Sequence, residues 1–92
     1  MKPSIGRIIV TKNCVSSNGT NVHPAIINRT WGDADPADPA ATVLVNVTIF
    51  PDCGAPVAQG SIRLFETEAE ADAHIATAAY SPVRVGYWPA RA

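Results

Sequence analysis

The sequence predicts a mostly β domain, a small five-stranded barrel with one late α-helix. Short runs rich in β-branched residues are separated by Gly, Pro, Asn and Asp. Every second residue from Val43 to Ile49 is β-branched and apolar, and only residues 67–79 change to a helical pattern. An SH3-like barrel is the first expectation, and an OB-like barrel with a helix between its later strands is the alternative.

Length and charge exclude several classes of protein. The 92 residues are expected to form one domain, and a hydrophobic content of 47% is too high for a disordered chain. Seven basic residues are scattered against eight acidic ones, so the net charge is −1. A protein that binds duplex nucleic acid normally carries a cluster of excess Lys and Arg, so no duplex partner is expected.

Neither a membrane span nor a secretion signal is expected. No run approaches the roughly 20 apolar residues that cross a bilayer, and residues 1–7 lack the apolar stretch of a signal peptide. We therefore expect no membrane partner and a cytoplasmic location. In a reducing cytoplasm Cys14 and Cys53 are expected as free thiols, and a disulfide between them is the alternative.

Two strands and two loops are predicted before residue 42. Residues 5–12 form the first strand, because β-branched residues suit a pleated sheet. Residues 14–22 are rich in Ser, Asn and Gly and indicate a loop or hairpin tip. The second strand covers residues 24–31. Residues 32–41, with two Asp-Pro steps, are predicted to be a mobile surface loop.

The second strand carries the first candidate binding residues. Pro24 is expected to begin it, because proline lacks the backbone donor that the middle of a strand needs. Simple alternation then places four side chains on one face: Ala25, Ile27, Arg29 and Trp31.

Three further strands are predicted in the second half of the chain. Residues 42–50 give the clearest pattern, with four residues facing the core: Val43, Val45, Val47 and Ile49. The shorter strands cover residues 60–65 and 83–88, and Pro89 ends the second of them.

The helix is predicted over residues 67–79. Thr67 and Glu70 have the spacing of a capping box, in which each side chain accepts a hydrogen bond from a free backbone N–H. Pro82 is expected to stop the helix. A weakly apolar stripe, with Ile75 beside it, is predicted from four residues: Ala69, Ala73, Ala76 and Tyr80.

No arrangement of residues predicts an enzyme. His23 and His74 are the only histidines, and neither follows a recognisable nucleophile motif. Asp33, Asp35 and Asp38 lack the Gly and the terminal Glu of a calcium-binding loop. No metal and no cofactor are therefore expected.

Aromatic and basic side chains favour a binding protein instead. An aromatic ring offers a flat face to a base, and Arg binds phosphate through two parallel hydrogen bonds. The candidate ligand-binding residues are Arg29, Trp31, His23, Tyr87, Trp88 and Arg91. The alternative is that Trp31 and Trp88 only plug the two ends of the barrel.

Four segments carry a resemblance to known proteins: KPSIGRII at 2–9, PAIINRTWG at 24–32, VNVTIFPD at 45–52 and VGYWPAR at 85–91. In this order they resemble short phage and prophage proteins of mostly unassigned function. That group has a short loop where this chain has its Glu- and Ala-rich segment.

The resemblance implies a phage protein that acts in the cytoplasm of a bacterial host. Phage proteins of this size often act against host defence, and one class sequesters the cyclic nucleotides that bacterial immunity uses as alarm signals. We therefore expect a homo-oligomer that sequesters a small cyclic oligonucleotide. The alternatives are a protein-binding inhibitor of a host defence complex, of the anti-CRISPR type, and a minor virion or assembly component.

Overall fold

The computed structural model describes residues 3–31 and 43–90, and in this part of the chain five strands form a closed barrel with one helix beside it. The prediction of a mostly β domain, consistent with a small SH3-like or OB-like fold, is confirmed. The elements are β1 (Ile8–Ser17), β2 (Thr20–Thr30), β3 (Val43–Ile49), β4 (Val57–Phe65), α1 (Glu68–Thr77) and β5 (Val85–Tyr87). The predicted loop 32–41, Thr42 and Arg91 lie outside the described residues.

Strand β5 closes the barrel. Strands β1 to β4 pair in sequence order, each antiparallel to the next, and β5 then pairs antiparallel with β1 and parallel with β4. Parallel neighbours cannot be joined by a tight turn, so the chain must cross over between β4 and β5. The helix α1 is part of that crossover.

Of the two predictions for residues 14–22, the hairpin tip is confirmed and the loop is wrong, because β1 and β2 continue through this segment as a long hairpin. Asn18 and Gly19 form its two-residue turn, with φ values of 52° and 81°, between the paired residues Ser17 and Thr20. Two consecutive positive φ values define the type I′ turn that Asn-Gly favours. The Asn-Gly dipeptide was therefore the signal for this hairpin.

Pro24 lies in the middle of β2, which contradicts the prediction that it begins a strand. Its carbonyl accepts a hydrogen bond from the backbone N–H of Phe50, one residue beyond the end of β3. In an antiparallel pair the N–H and C=O of one residue face the same neighbouring strand. The missing N–H of Pro24 therefore falls where β3 has ended, so no bond within the β2–β3 ladder is lost.

The barrel interior contains the main hydrophobic core. All four predicted β3 residues are buried there, which confirms the alternation read from residues 43–49. Side chains from the other elements complete it: Ile9, Ala25, Ile27, Ile62, Leu64 and Trp88. All three residues of β5 are buried, and Gly86 is the one that faces this interior. A Cβ atom added to Gly86 would stand 2.9 Å from Cδ1 of Ile9.

A second apolar layer lies between α1 and the outside of the barrel. The side chain of Thr67 caps the helix by accepting a hydrogen bond from the N–H of Glu70 at 3.2 Å, as the capping box predicts. The helix ends at Thr77, so Pro82 does not end it. The layer consists of Ala71, Val83, Val85 and Tyr87, with Val10, Phe65, Ile75 and Ala78 at its margin.

The predicted apolar stripe of the helix is wrong. All four of its residues, Ala69, Ala73, Ala76 and Tyr80, are exposed. The helix instead turns Ala71, Ile75 and Ala78 towards the barrel. This spacing of four and then three residues gives one helical face.

Cys14 and Cys53 form no disulfide. Cys14 is partly buried, and this burial raises the pKa of its thiol from 9.0 to about 11, while Cys53 is exposed. Because the thiolate is the reactive form, two pKa units lower the reactive fraction of Cys14 at pH 8 about a hundredfold.

We therefore expect biphasic labelling by a thiol reagent at pH 8, with Cys53 reacting first. The Cys53→Ser variant should lose the fast phase and keep only the slow one, whereas protein in denaturant should label quickly at both cysteines. A fast phase that persists in Cys53→Ser would contradict the burial of Cys14.

Candidate ligand-binding site

Two irregularities in strand pairing occur next to Asn46 on β3. The pairing of β2 with β3 shifts register between Ile27 and Arg29, and that of β3 with β4 shifts across Asn46. Ser61 of β4, within the second shift, has a φ of 55° in the left-handed region. Each shift inserts one extra residue into the strand beside Asn46, as in a β-bulge.

The bulge in β2 changes which side chains face outwards. Ile27 is buried before it, whereas Arg29 is exposed after it and Thr30 pairs with the buried Val45. The prediction that Arg29 and Trp31 share a face with Ala25 and Ile27 is therefore wrong. Arg29 and Trp31 both point outwards, because an inserted residue shifts the alternation by one position.

Arg29 and Trp31 form a stacked pair on this outer surface. The guanidinium carbon of Arg29 lies 3.8 Å from the centre of the indole ring, and Trp31 is 48% exposed. A guanidinium stacked on an aromatic face keeps its N–H groups directed sideways and able to donate. The pair therefore offers fixed hydrogen-bond donors at the surface.

Asn46 holds the indole in position. Its side-chain oxygen Oδ1 accepts hydrogen bonds from Nε1 of Trp31 at 2.9 Å and from the backbone N–H of Ser61 at 2.8 Å. The backbone N–H of Trp31 also donates to the carbonyl of Leu44 at 2.8 Å. The two bonds to Asn46 connect the bulged part of β4 to Trp31 through a single side chain.

A groove of about 330 Å³ begins at this bulge. It lies between the outer side of β3 and β4 and the segment that precedes β5. Its lining contains two guanidinium groups, those of Arg63 and Arg84, and the phenol ring of Tyr80, which is 59% exposed. Gly60 and Ser61 belong to the same lining, so the groove adjoins the Arg29–Trp31 pair.

The groove differs in charge from the surface around α1. Among residues 3–31 and 43–90, no carboxylate lines the groove. Within the described residues Arg29 and Arg84 form no ion pair with a carboxylate, and the acidic residues are Asp52 and a group at and before α1: Glu66, Glu68, Glu70 and Asp72. A nearly neutral chain thus has a basic, aromatic surface that favours an anion.

The acidic group at α1 includes a polar cluster that fixes the helix to the barrel. The ammonium of Lys12 lies 3.1 Å from Oε2 of Glu68 and 2.7 Å from Oδ1 of Asp72, and the Tyr87 hydroxyl donates to Oε2 of Glu68 at 3.0 Å. The bond to Asp72 is the main cause that raises the pKa of Lys12. Burial, followed by the bond to Glu68, raises the pKa of Tyr87.

We expect the free energy of unfolding to fall as the pH rises above about 9, because folding raises the pKa values of Cys14, Tyr87 and Lys12. The ordinary pKa values are 9.0 for the thiol of Cys14, 10.0 for the phenol of Tyr87 and 10.5 for the ammonium of Lys12. The unfolded chain loses these protons first, whereas the folded chain retains them, so alkali favours unfolding. Urea titrations between pH 8 and pH 11 measure this slope.

The Tyr87→Phe variant should show a shallower alkaline decline, because it removes one of the three groups, with Lys12 and Cys14, whose pKa is raised by folding. Tyr80→Phe replaces an exposed tyrosine and is the matched control for the loss of a phenol hydroxyl. Equal slopes in all three proteins would contradict the effect.

The structure brings the predicted site residues Arg29 and Trp31 into contact, but it places Tyr87, Trp88 and His23 elsewhere. Tyr87 lies beneath α1, and Trp88 is 6% exposed within the barrel core, with the guanidinium carbon of Arg7 5.6 Å from its ring centre. The alternative that the two tryptophans only plug the barrel therefore fits the buried Trp88, but it is wrong for the exposed Trp31. A second groove, of about 510 Å³, passes Trp88 and is lined by Glu66 and Glu68, so its charge does not favour an anion.

The remaining predicted residue with a described position, His23, is not at the surface. It lies inside β2, is 2% exposed and pairs with Thr11, and its Nε2 has no hydrogen-bond partner. His74 is half-buried, with its ring centre 5.2 Å from that of Phe65. Within residues 3–31 and 43–90 no group of three or more His, Cys, Asp or Glu side chains is placed to hold a metal ion.

Sequence reasoning missed the groove formed by Arg63, Arg84 and Tyr80. Arg63 lies on β4, whereas Tyr80 and Arg84 lie in the segment between α1 and β5, and the pairing of β5 with β4 brings them together. Comparisons with known protein families, with curated proteins and with solved structures found no match. In the described part of the chain no helix has the length and apolar character needed to span a membrane.

Proposed function

We propose that this protein is a non-enzymatic phage counter-defence protein that sequesters a cyclic nucleotide immune signal in the cytoplasm of a bacterial host. The observation that carries the proposal is the guanidinium of Arg29, stacked 3.8 Å from the exposed ring of Trp31. A planar cation with fixed donors matches the two oxygens of a phosphodiester. The aromatic and guanidinium planes match a base.

Preorganisation supports binding at this pair. Trp31 is held by its bond to Asn46, and Arg29 is held by its contact with Trp31. A ligand therefore meets an arginine that has already lost part of its freedom, which lowers the entropic cost of binding. An arginine extended into solvent lacks that advantage.

The shape of the surface supports an oligomer. A sequestering protein must enclose its ligand, and binding sites commonly bury 70–90% or more of a small ligand. The Arg29–Trp31 pair lies on the convex outside of a barrel, where one copy contacts only one side of a ligand. A second copy, related by two-fold symmetry, supplies the other side in our proposal.

Calorimetric titration with a panel of cyclic di- and trinucleotides tests the proposal. We expect one of them to bind, and the mass of the complex, measured by light scattering, to correspond to a dimer or larger assembly. No heat from any member of the panel would overturn the proposal.

Substitutions locate the binding. Trp31→Ala and Arg29→Lys should each weaken binding at least about tenfold. The first removes the ring on which Arg29 stacks. The second keeps the charge, but lysine can neither stack as a plane nor donate two parallel hydrogen bonds. Phe50→Ala removes another exposed aromatic ring, 40% exposed, and is the matched control. Equal losses in the control would show that the effect is not specific to Trp31.

A further inference from the structure

We infer that the groove lined by Arg63, Arg84 and Tyr80 is a second binding station, so that the ligand contains two linked nucleotides. One nucleotide contacts the Arg29–Trp31 pair, and the other lies in the groove. This inference rests on the proposed function, and it extends that function from a single arginine–tryptophan pair to a defined size of ligand.

The two stations are connected through one atom. Oδ1 of Asn46 accepts hydrogen bonds both from Nε1 of Trp31 and from the N–H of Ser61. Trp31 forms the first station and Ser61 lines the groove, so the two stations adjoin at Asn46. A ligand that extends beyond the edge of the indole towards β4 enters the groove.

The groove has the chemistry that a second nucleotide requires. Arg84 supplies a guanidinium group to phosphate oxygens, Arg63 adds positive charge to the same lining, and none of the lining residues between 3 and 31 or 43 and 90 is a carboxylate. The ring of Tyr80 is 59% exposed and presents a face for a base. A volume of about 330 Å³ lies at the small end of ligand sites and suits one nucleotide.

Asn46 also explains why both stations have defined positions. The bulge in β2 directs Arg29 and Trp31 outwards, and the bulge in β4 leaves the N–H of Ser61 bonded to Asn46 instead of to a strand partner. A single side chain thus fixes the distance between the first station and the wall of the second. A ligand with two units at fixed spacing benefits from such a rigid connection.

Titration with a matched series of ligands tests the inference. The series is adenosine 5′-monophosphate, linear diadenylate, cyclic diadenylate and linear tetraadenylate, each with the wild-type protein. We expect the diadenylates to bind at least about tenfold more tightly than the monophosphate, because they occupy both stations. We expect the tetraadenylate to add less than about twofold.

Variants of the groove separate the stations. Arg84→Gln should weaken diadenylate binding roughly tenfold or more, through loss of a charge-assisted hydrogen bond, and change monophosphate binding less than about twofold. Tyr80→Ala should act in the same direction through loss of stacking. Ala69→Glu, on the exposed side of the first helical turn, changes the net charge by the same amount as Arg84→Gln and should affect neither ligand.

The outcomes distinguish this inference from the function on which it rests. If monophosphate and diadenylates bind equally, or if Arg84→Gln leaves diadenylate affinity unchanged, the second station is wrong while the nucleotide-binding function stands. If affinity continues to rise with strand length, the protein binds single strands and the two-unit ligand is wrong. If no nucleotide binds, both are wrong.

Discussion

Trp88→Ala is expected to lower the free energy of unfolding by about 3–5 kcal/mol, the cost of removing a large aromatic side chain from a packed core. Trp88 is 6% exposed and belongs to the cluster that fills the barrel. A domain of this size has few other large side chains with which to fill the cavity. Because small domains are stable by about 5–15 kcal/mol in total, the variant should be close to unfolding at 37 °C.

Trp31→Ala is the matched control, since it removes the same side chain from the outside of the same barrel. It loses an exposed cation–π contact, worth about 0.5–1 kcal/mol, and one hydrogen bond to Asn46. We expect a total loss of about 1–2 kcal/mol. Urea denaturation followed by circular dichroism measures both variants with one probe.

Equal losses for the two variants would contradict the different positions of the two tryptophans. The emission spectrum gives an independent check. Trp31→Phe leaves only the buried Trp88, so its emission should lie at shorter wavelength than that of Trp88→Phe, if the latter remains folded.

Gly86→Ala is expected to destabilise the protein by about 1–3 kcal/mol, which is the usual cost of adding a methyl group to a well-packed core. The added Cβ atom would stand 2.9 Å from Cδ1 of Ile9, 3.6 Å from the carbonyl oxygen of Val10 and 3.7 Å from Cγ2 of Ile62. At least one of these neighbours must move, and all lie in the barrel wall or its interior. Gly86→Val should fail to give a closed barrel.

A double-mutant cycle tests the contact itself. Ile9→Val removes Cδ1, the atom nearest to the new methyl group, and alone costs about 0.5–1.5 kcal/mol. The double variant Ile9→Val, Gly86→Ala should therefore lose less than the sum of the two single losses. Strictly additive losses would show that contact with Ile9 is not what makes a side chain at position 86 unfavourable.

The pattern of a single segment was sufficient to predict the parts of the fold that depend on local sequence. Residues 43–49 alternate because one face of β3 is covered by the core, and this requirement appears in the sequence itself. Thr67 begins α1 because its side chain caps a donor only three residues away. Neither feature depends on a distant part of the chain.

The predictions that were wrong concern features that depend on pairing partners far away in the sequence. The outward turn of Arg29 and Trp31 comes from a bulge, whose position is defined only relative to β3. Pro24 is tolerated within β2 because β3 ends beside it, which no inspection of residues 24–31 alone reveals.

The prediction of which face of α1 packs against the barrel was wrong for a related reason. Its residues are mostly small, so apolar pattern alone does not select a face. The ion pairs of Glu68 and Asp72 with Lys12 select one, and they turn Ala71 and Ile75 towards the barrel. The residues of α1 alone do not show this attachment, because the partner Lys12 lies on β1.

Closure by β5 has a consequence for the chain as it is synthesised. Residues 8–65 contain four of the strands, but β5 at residues 85–87 joins β1 to β4. Until those residues leave the ribosome, the nascent chain has two unpaired strand edges, and such edges promote aggregation. The barrel therefore cannot close before residues 85–87 have left the ribosome, and a nascent chain exposed only as far as residue 65 has an open sheet.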